Sequence, residues 1–403
     1  MKLRNQLLAL CCLLVFAAFG FLYVRNWVVP KTFGIILFVS DGMVSRHITA
    51  ARLYEGGADQ RLALESFPYL ALLRNPARDF AVPDAAAAAT ALATGIRVGH
   101  RQLAVDAESK PLVSILELAR KQGRAVGLIS TGSPLSPTPA AFYAHAPDAR
   151  ETGQILQQFL DQAKFDVVLC GGSGDFLPAT KSGHRKDSRD VLAELQGKGW
   201  ELVRSKAELE NADSYRTAPL AGFFADGELA FSNQIESGSQ QPSLADMVRR
   251  AIEFLQVHGK GYVLIVDAGL VATASERNEG ERAIIETLAL DRAIATAVKY
   301  AGDKSLILSV GKHATGGFSL NGYPFVQDHG VALLGVNAAG QPAITWATGP
   351  HGPKNQTEPS AFETPSALNT AEDVMAIGRG LGAERLRGFI DNTEIFSILK
   401  GAL

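Results

Sequence analysis

The sequence predicts an α/β fold, a mostly parallel sheet with helices on both faces. Short apolar runs without polar alternation recur along the chain, as strands buried on both faces require. Segments of 3.6-residue apolar period stand between them. Polar residues gather just after the runs, where ligands collect in sheets of this kind.

The chain has 403 residues, 47% hydrophobic and 20% charged, which suits a folded domain and excludes disordered, collagen-like and coiled-coil readings. A formal net charge of −2 leaves no basic excess to neutralise a phosphate backbone, so no nucleic acid is expected as a partner. Of three cysteines, Cys11 and Cys12 lie in an apolar stretch and only Cys170 belongs to the body, so neither a disulfide framework nor a cysteine metal cluster is available.

Lys2 and Arg4 precede eighteen uncharged residues at 7–24, about 27 Å of helix and a spanning length. No convincing small-x-small cleavage site or lipobox follows, which favours an uncleaved signal anchor over a cleaved signal peptide. Residues 1–33 are therefore read as one transmembrane helix and a juxtamembrane link, single-pass in the inner (cell) membrane. Lys2 and Arg4 against Arg25 and Lys31 weakly favour the N-terminus inside. The body, 34–403, then faces the periplasm or exterior.

Strands are expected at 34–39, 125–129, 167–170, 262–266 and 305–310, and helices at 112–121, 155–163, 244–257 and 282–300. Residues 316–368, rich in Gly, Pro, Asn and Thr, read as a loop-rich insertion with one strand near 331–334. Asp41 follows the first strand, Ser133 to Thr138 the second, Asp267 the penultimate and Lys312-His313 the last. Each alone is weak, since an Asp before Gly is commonly a turn residue. Their recurrence at strand ends is the stronger signal.

Six ordered segments then resemble the alkaline phosphatase family, from about residue 34 to 399. They are Phe-Val-Ser-Asp-Gly-Met at 38–43 with Ile-Thr-Ala-Ala-Arg at 48–52, the run at 89–106, Thr-Pro-Ala-Ala-Phe-Tyr-Ala-His at 138–145, Val266-Asp267, His-Ala-Thr-Gly-Gly at 313–317, and Gly-Phe-Ile-Asp-Asn-Thr-Glu-Ile-Phe at 388–396. The resemblance implies a single domain built as a three-layer α/β/α sandwich, and commonly a homodimer. It also implies a serine nucleophile at a helix start, two zinc ions and usually magnesium, with an arginine and the helix N-terminus holding the phosphoryl group.

Residue by residue, this chain departs from that pattern. The nucleophile position is Ala85, whose methyl cannot attack phosphorus. The first zinc site maps to Ala272, Glu276 and Asn369, one plausible ligand of three. The second maps to Asp41, Lys312 and His313, with an ammonium at a ligand position. A cation about 4 Å from that ammonium would be repelled by roughly 4 kcal/mol per unit charge at an effective dielectric near 20, so zinc is disfavoured. Lys312 either neutralises Asp41 in place of a metal or reaches solvent. The magnesium site maps to Asp41, Thr138 and Asp267, all oxygen donors; they could hold magnesium or simply hydrogen-bond to one another and to Lys312.

Arg150 is the candidate phosphate arginine, with a surface salt bridge as the alternative, while His100, His145 and His351 are read as structural or exposed. The sequence thus points to a membrane-anchored pseudophosphatase that binds an anionic ligand or a protein partner. An anion would meet the helix start at Ala85 together with Lys312 and Arg150. The competing reading is a metal-dependent phosphomonoester hydrolase of altered or weak activity, using Thr90, Ser133 or Ser136.

Overall fold

The structure, a computed structural model, describes residues 2–27, 32–161, 164–215, 218–321, 335–337 and 339–403. Its strands are β1 (Gly34–Gly42), β2 (Tyr69–Arg74), β3 (Ala125–Ser130), β4 (Val167–Cys170), β5 (Glu201–Val203), β6 (Leu220–Phe223), β7 (Tyr262–Ala268), β8 (Leu306–Thr315), β9 (Ser319–Leu320), β10 (Ile344–Gly349), β11 (Ser360–Glu363), β12 (Asn369–Thr370), β13 (Val374–Arg379) and β14 (Arg387–Asp391). One sheet of eleven strands runs β14-β2-β13-β8-β1-β7-β3-β4-β6-β5, with β12 added on β8. All its pairings are parallel except those of β13 and β12.

Both faces are buried, and β1 shows why its sequence is apolar without alternation. Ile35, Leu37 and Val39 enter one core while Ile36 and Phe38 enter the other, because successive side chains of a strand point to opposite faces. The helices Ala85–Thr94, Ile115–Lys121, Thr152–Asp161 and Glu394–Ala402 cover the first face. Ser45–Gly56, Leu244–Leu255, Leu270–Glu276 and Gly280–Ala301 cover the second. The result is an α/β/α sandwich.

Several boundaries move. The first expected helix begins at Ile115, not 112, because Ser114 caps it: Ser114 Oγ accepts from Glu117 N and Glu117 Oε2 accepts from Ser114 N. The last predicted strand does not stop at 310; β8 continues to Thr315, so Lys312 and His313 sit within a strand. Residues 316–368 are not only loop, since β9, β10 and β11 form a small sheet there; the strand expected at 331–334 lies outside the described residues. The uncharged run at 7–24 falls in the helix Lys2–Trp27, on which Leu13, Phe16 and Phe19 are exposed. Among the described residues no helix is long and apolar enough to cross a membrane.

Candidate functional site

The strand order β8-β1-β7-β3 places the carboxyl ends of four parallel strands side by side. Asp41 comes from β1, Lys312 and His313 from β8, and Asp267 from β7, where it pairs in register with Val39 and Ser130. Thr138 comes from the short helix Pro137–Ala140 that follows β3.

A bulge decides which side chains meet. Between β1 and β8, Ser40 faces Gly311 but Gly42 faces Ala314, so the single residue Asp41 is opposed by both Lys312 and His313. In a regular strand these neighbours would point to opposite faces; the extra residue re-aims them. Lys312 Nζ lies 2.6 Å from Asp41 Oδ2 and His313 Nε2 lies 2.9 Å from Asp41 Oδ1, the latter off the line of a directed hydrogen bond.

Lys312 also donates to Thr138 Oγ1 at 2.5 Å, and the Thr138 hydroxyl is 3.4 Å from Asp41 Oδ2. Its side chain is 0% exposed. This resolves the two readings of Lys312: its ammonium neutralises Asp41 rather than reaching solvent. Burial alone would raise the Asp41 pKa, but Lys312 and His313 hold it well below the ordinary carboxylate range.

Asp267 behaves oppositely. Burial, then the nearby Asp41 charge, pushes it up to about 7 against the opposing effects of Lys312 and of the Ser130 hydroxyl. Ser130 Oγ donates to Asp267 Oδ2 at 2.7 Å, while Asp267 Oδ1 is buried with no hydrogen-bond partner. Two neighbouring carboxyls are thus driven apart, one held ionised by an ammonium and one favoured as the neutral acid.

Ala85 opens the helix Ala85–Thr94. Asp84 caps it, Oδ1 accepting from Ala87 N at 2.8 Å and Oδ2 from Arg101 N at 2.6 Å, so a carboxylate already serves this helix start. Asn369 links the start to the strand cluster: its Nδ2 donates to Pro83 O at 3.1 Å and its Oδ1 accepts from Thr315 Oγ1 at 3.2 Å. Thr315 Oγ1 is in turn 3.2 Å from His313 Nδ1. Asn369 therefore acts as a tie, and Thr315, which sequence reasoning passed over, joins it to His313.

Ala272, in the helix Leu270–Glu276, packs against the end of β1. Gly42 has φ +73°, and a Cβ there would lie 2.8 Å from Ala272 Cα, so the small pair lets helix and strand touch. Glu276 ends that helix at the rim, its carboxyl partly shielded from solvent. Burial, then Asp41 and Glu228, raises its pKa.

Two expectations require correction. The proposed anion subsite does not assemble, because Lys312 is spent on Asp41 and Thr138. Arg150, 70% exposed, donates to Asp148 through Nε and Nη2, which is the surface salt bridge of the alternative reading. The magnesium set of Asp41, Thr138 and Asp267 also fails as a cation site, because the Lys312 ammonium occupies the space between the first two donors and would repel a dication. Among the described residues, no three His, Cys, Asp or Glu side chains converge as a metal site. Two of the three hydroxyls of the hydrolase reading, those of Thr90 and Ser133, are engaged as well. Thr90 is buried, accepting from Ala104 N at 3.0 Å, and Ser133 Oγ donates to Asp175 Oδ2 at 2.6 Å.

The alkaline phosphatase family model matches residues 33–403. The chain belongs to the alkaline phosphatase family. Alkaline phosphatase 4 of Bacillus subtilis (strain 168) is 28% identical over 420 residues, covering 91% of this chain and 88% of the relative. The tissue-nonspecific alkaline phosphatase isozyme of Gallus gallus is 28% identical over 336 residues, covering 72% of this chain, which spans 64% of that relative's length. Among solved structures, the alkaline phosphatase of Thermus thermophilus superposes with a TM-score of 0.76 at 25% identity, covering 93% of this chain and 92% of its own. Within that family, the two zinc sites implied by resemblance meet Ala272 and Asn369 at the first and a buried ammonium at the second, a donor set that does not fit the ions.

Proposed function

We propose that this protein is a membrane-anchored member of the alkaline phosphatase family that has lost phosphomonoester turnover and serves as a protein-interaction module, its body in the periplasm or exterior. The observation that carries the reading is the Lys312 ammonium, buried between Asp41 and Thr138. It neutralises internally a carboxylate that the family pattern gives to metals, and the family's nucleophile position carries the methyl of Ala85. Zinc has too few donors, and magnesium would have to displace a fixed cation. The uncharged run at 7–24 supports the anchor, and a homodimer is expected by resemblance.

The test is hydrolysis of a chromogenic phosphomonoester by purified protein with zinc and magnesium added, alongside elemental analysis after mild purification. No turnover above buffer and no stoichiometric zinc is expected. Two zinc ions per chain, with turnover lost in Asp41→Ala, would overturn the reading.

A second reading, a weak metal-dependent phosphomonoesterase, draws on relatives named alkaline phosphatase across 91% of the chain and on the unpartnered Asp267 Oδ1. Turnover that needs added magnesium and vanishes in Asp267→Ala would favour it.

A further inference from the structure

We infer that the amino-terminal end of the sheet is a docking surface for anionic lipid headgroups. The inference rests on the anchor reading above, which brings this end to a bilayer. The chain enters the body here: the Thr32 hydroxyl donates to Gln256 O at 3.2 Å, Phe33 O accepts from Tyr262 N at 3.2 Å, and the Arg124 guanidinium lies 5.8 Å from the Phe33 ring centre. Five peptide steps separate Trp27, the last residue of the N-terminal helix, from Thr32, at most about 18 Å of extended chain.

Because β1, β3, β4, β7 and β8 run parallel, the turns that feed them open at this same end. The helix end before β3 carries Lys121, and the turns carry Lys164 before β4, Lys260 before β7 and Lys304 before β8, all exposed. None of the four has a hydrogen-bonding or acidic partner among the described residues. The nearby acids are largely engaged elsewhere. Asp166 pairs with Arg120 at 2.9 Å, Asp161 with Lys198 at 3.4 Å, and the terminal Leu403 accepts from Arg124; Asp303 offsets Lys304 alone. Leu381, 66% exposed in the turn after β13, adds an apolar contact.

The opposite end carries the acids Glu228 and Glu276, while Asp41 there is neutralised by Lys312. An anionic bilayer attracts surface lysines only within about a Debye length. The short tether lets these four reach that range, where a soluble acidic protein would have to displace the headgroups to reach them.

The test uses the full chain with phosphatidylcholine vesicles and with vesicles of about seven parts phosphatidylcholine to three of phosphatidylglycerol. Flotation reads association, and the acetylation rate of individual lysines reads docking. Acetylation of Lys121, Lys164, Lys260 and Lys304 is expected to slow about threefold or more on the anionic vesicles and to recover in high salt. Lys354, exposed in the loop between β10 and β11, is expected not to change.

Flotation with both lipids and equal acetylation would overturn docking while leaving the anchor. Flotation only with phosphatidylglycerol would support docking and remove the anchor. No flotation with either lipid would overturn both.

Discussion

Lys312 meets Asp41 at 2.6 Å across 271 residues of sequence, as a buried ion pair. In a low-dielectric site an ion pair is worth little over an apolar replacement, yet breaking it from one side is costly. Lys312→Met is expected to destabilise the protein by about 3 to 5 kcal/mol, because it leaves the Asp41 carboxylate buried beside only His313 and Thr138. Urea denaturation measures it. The double variant with Asp41→Asn should recover most of the loss, whereas additive losses in the cycle would show that the pair is not coupled.

Replacing the ammonium with a carboxylate should reverse the site's preference. Lys312→Asp places a second acid beside Asp41 and His313, giving a donor set of the kind that holds a divalent metal. The variant is expected to be less stable than the parent without metal and to gain thermal stability with added zinc, about 2.7 kcal/mol when zinc reaches a hundred times its dissociation constant. The parent should show no such gain. Equal zinc stabilisation of both proteins would mean that Lys312 does not exclude the ion.

Restoring the hydroxyl alone should not restore chemistry. Ala85→Ser supplies an oxygen at the head of the helix, but Lys312 still fills the space of the activating cation and Asp84 still caps the helix. Phosphomonoester hydrolysis is therefore expected to stay at background. A rise in kcat/KM of about a hundredfold or more, some 2.7 kcal/mol of transition-state stabilisation, would show that activation does not depend on a metal at Asp41.

Much of this site was legible before any coordinates. Asp41, Asp267 and Lys312-His313 stand at the ends of apolar runs, and parallel topology makes those ends converge. The partner of Lys312 was not legible, because it depends on a one-residue bulge opposite Asp41 that no local propensity signals. Arg150 was misplaced for a related reason: proximity in sequence to the 138–145 segment says nothing about the Asp148 carboxylate two residues away that captures it. The strands β2 and β14 are not legible because they lie at one edge of the sheet. Leu70 and Phe389 there are exposed, so the uninterrupted apolar pattern of a doubly buried strand is missing. Thr315 was hidden by its ordinariness; only its position two residues beyond His313 hinted at a second tie.

Stability should also depend on pH through two buried groups far from the nucleophile position, with opposite signs. His47 is buried against Phe318, ring centres 4.4 Å apart, and accepts from Val44 N at Nδ1. Burial and then the Arg46 charge lower its pKa to about 3. A base depressed on folding stabilises the native state above its unfolded pKa near 6.5, and that contribution is lost as pH falls toward 3, on the order of 4 kcal/mol in all. Glu286, bonded by Ser232 N and Oγ, is raised to about 7, mainly by burial. An acid raised on folding contributes most below its unfolded pKa near 4.5, and that contribution declines as pH climbs to 7. Between pH 4.5 and 6.5 the two slopes oppose each other in the parent, so His47→Gln should shift the profile toward falling stability with rising pH and Glu286→Gln toward rising stability. Denaturant titrations across that range resolve the two slopes, and a parent-like profile in either variant would remove that group from the account.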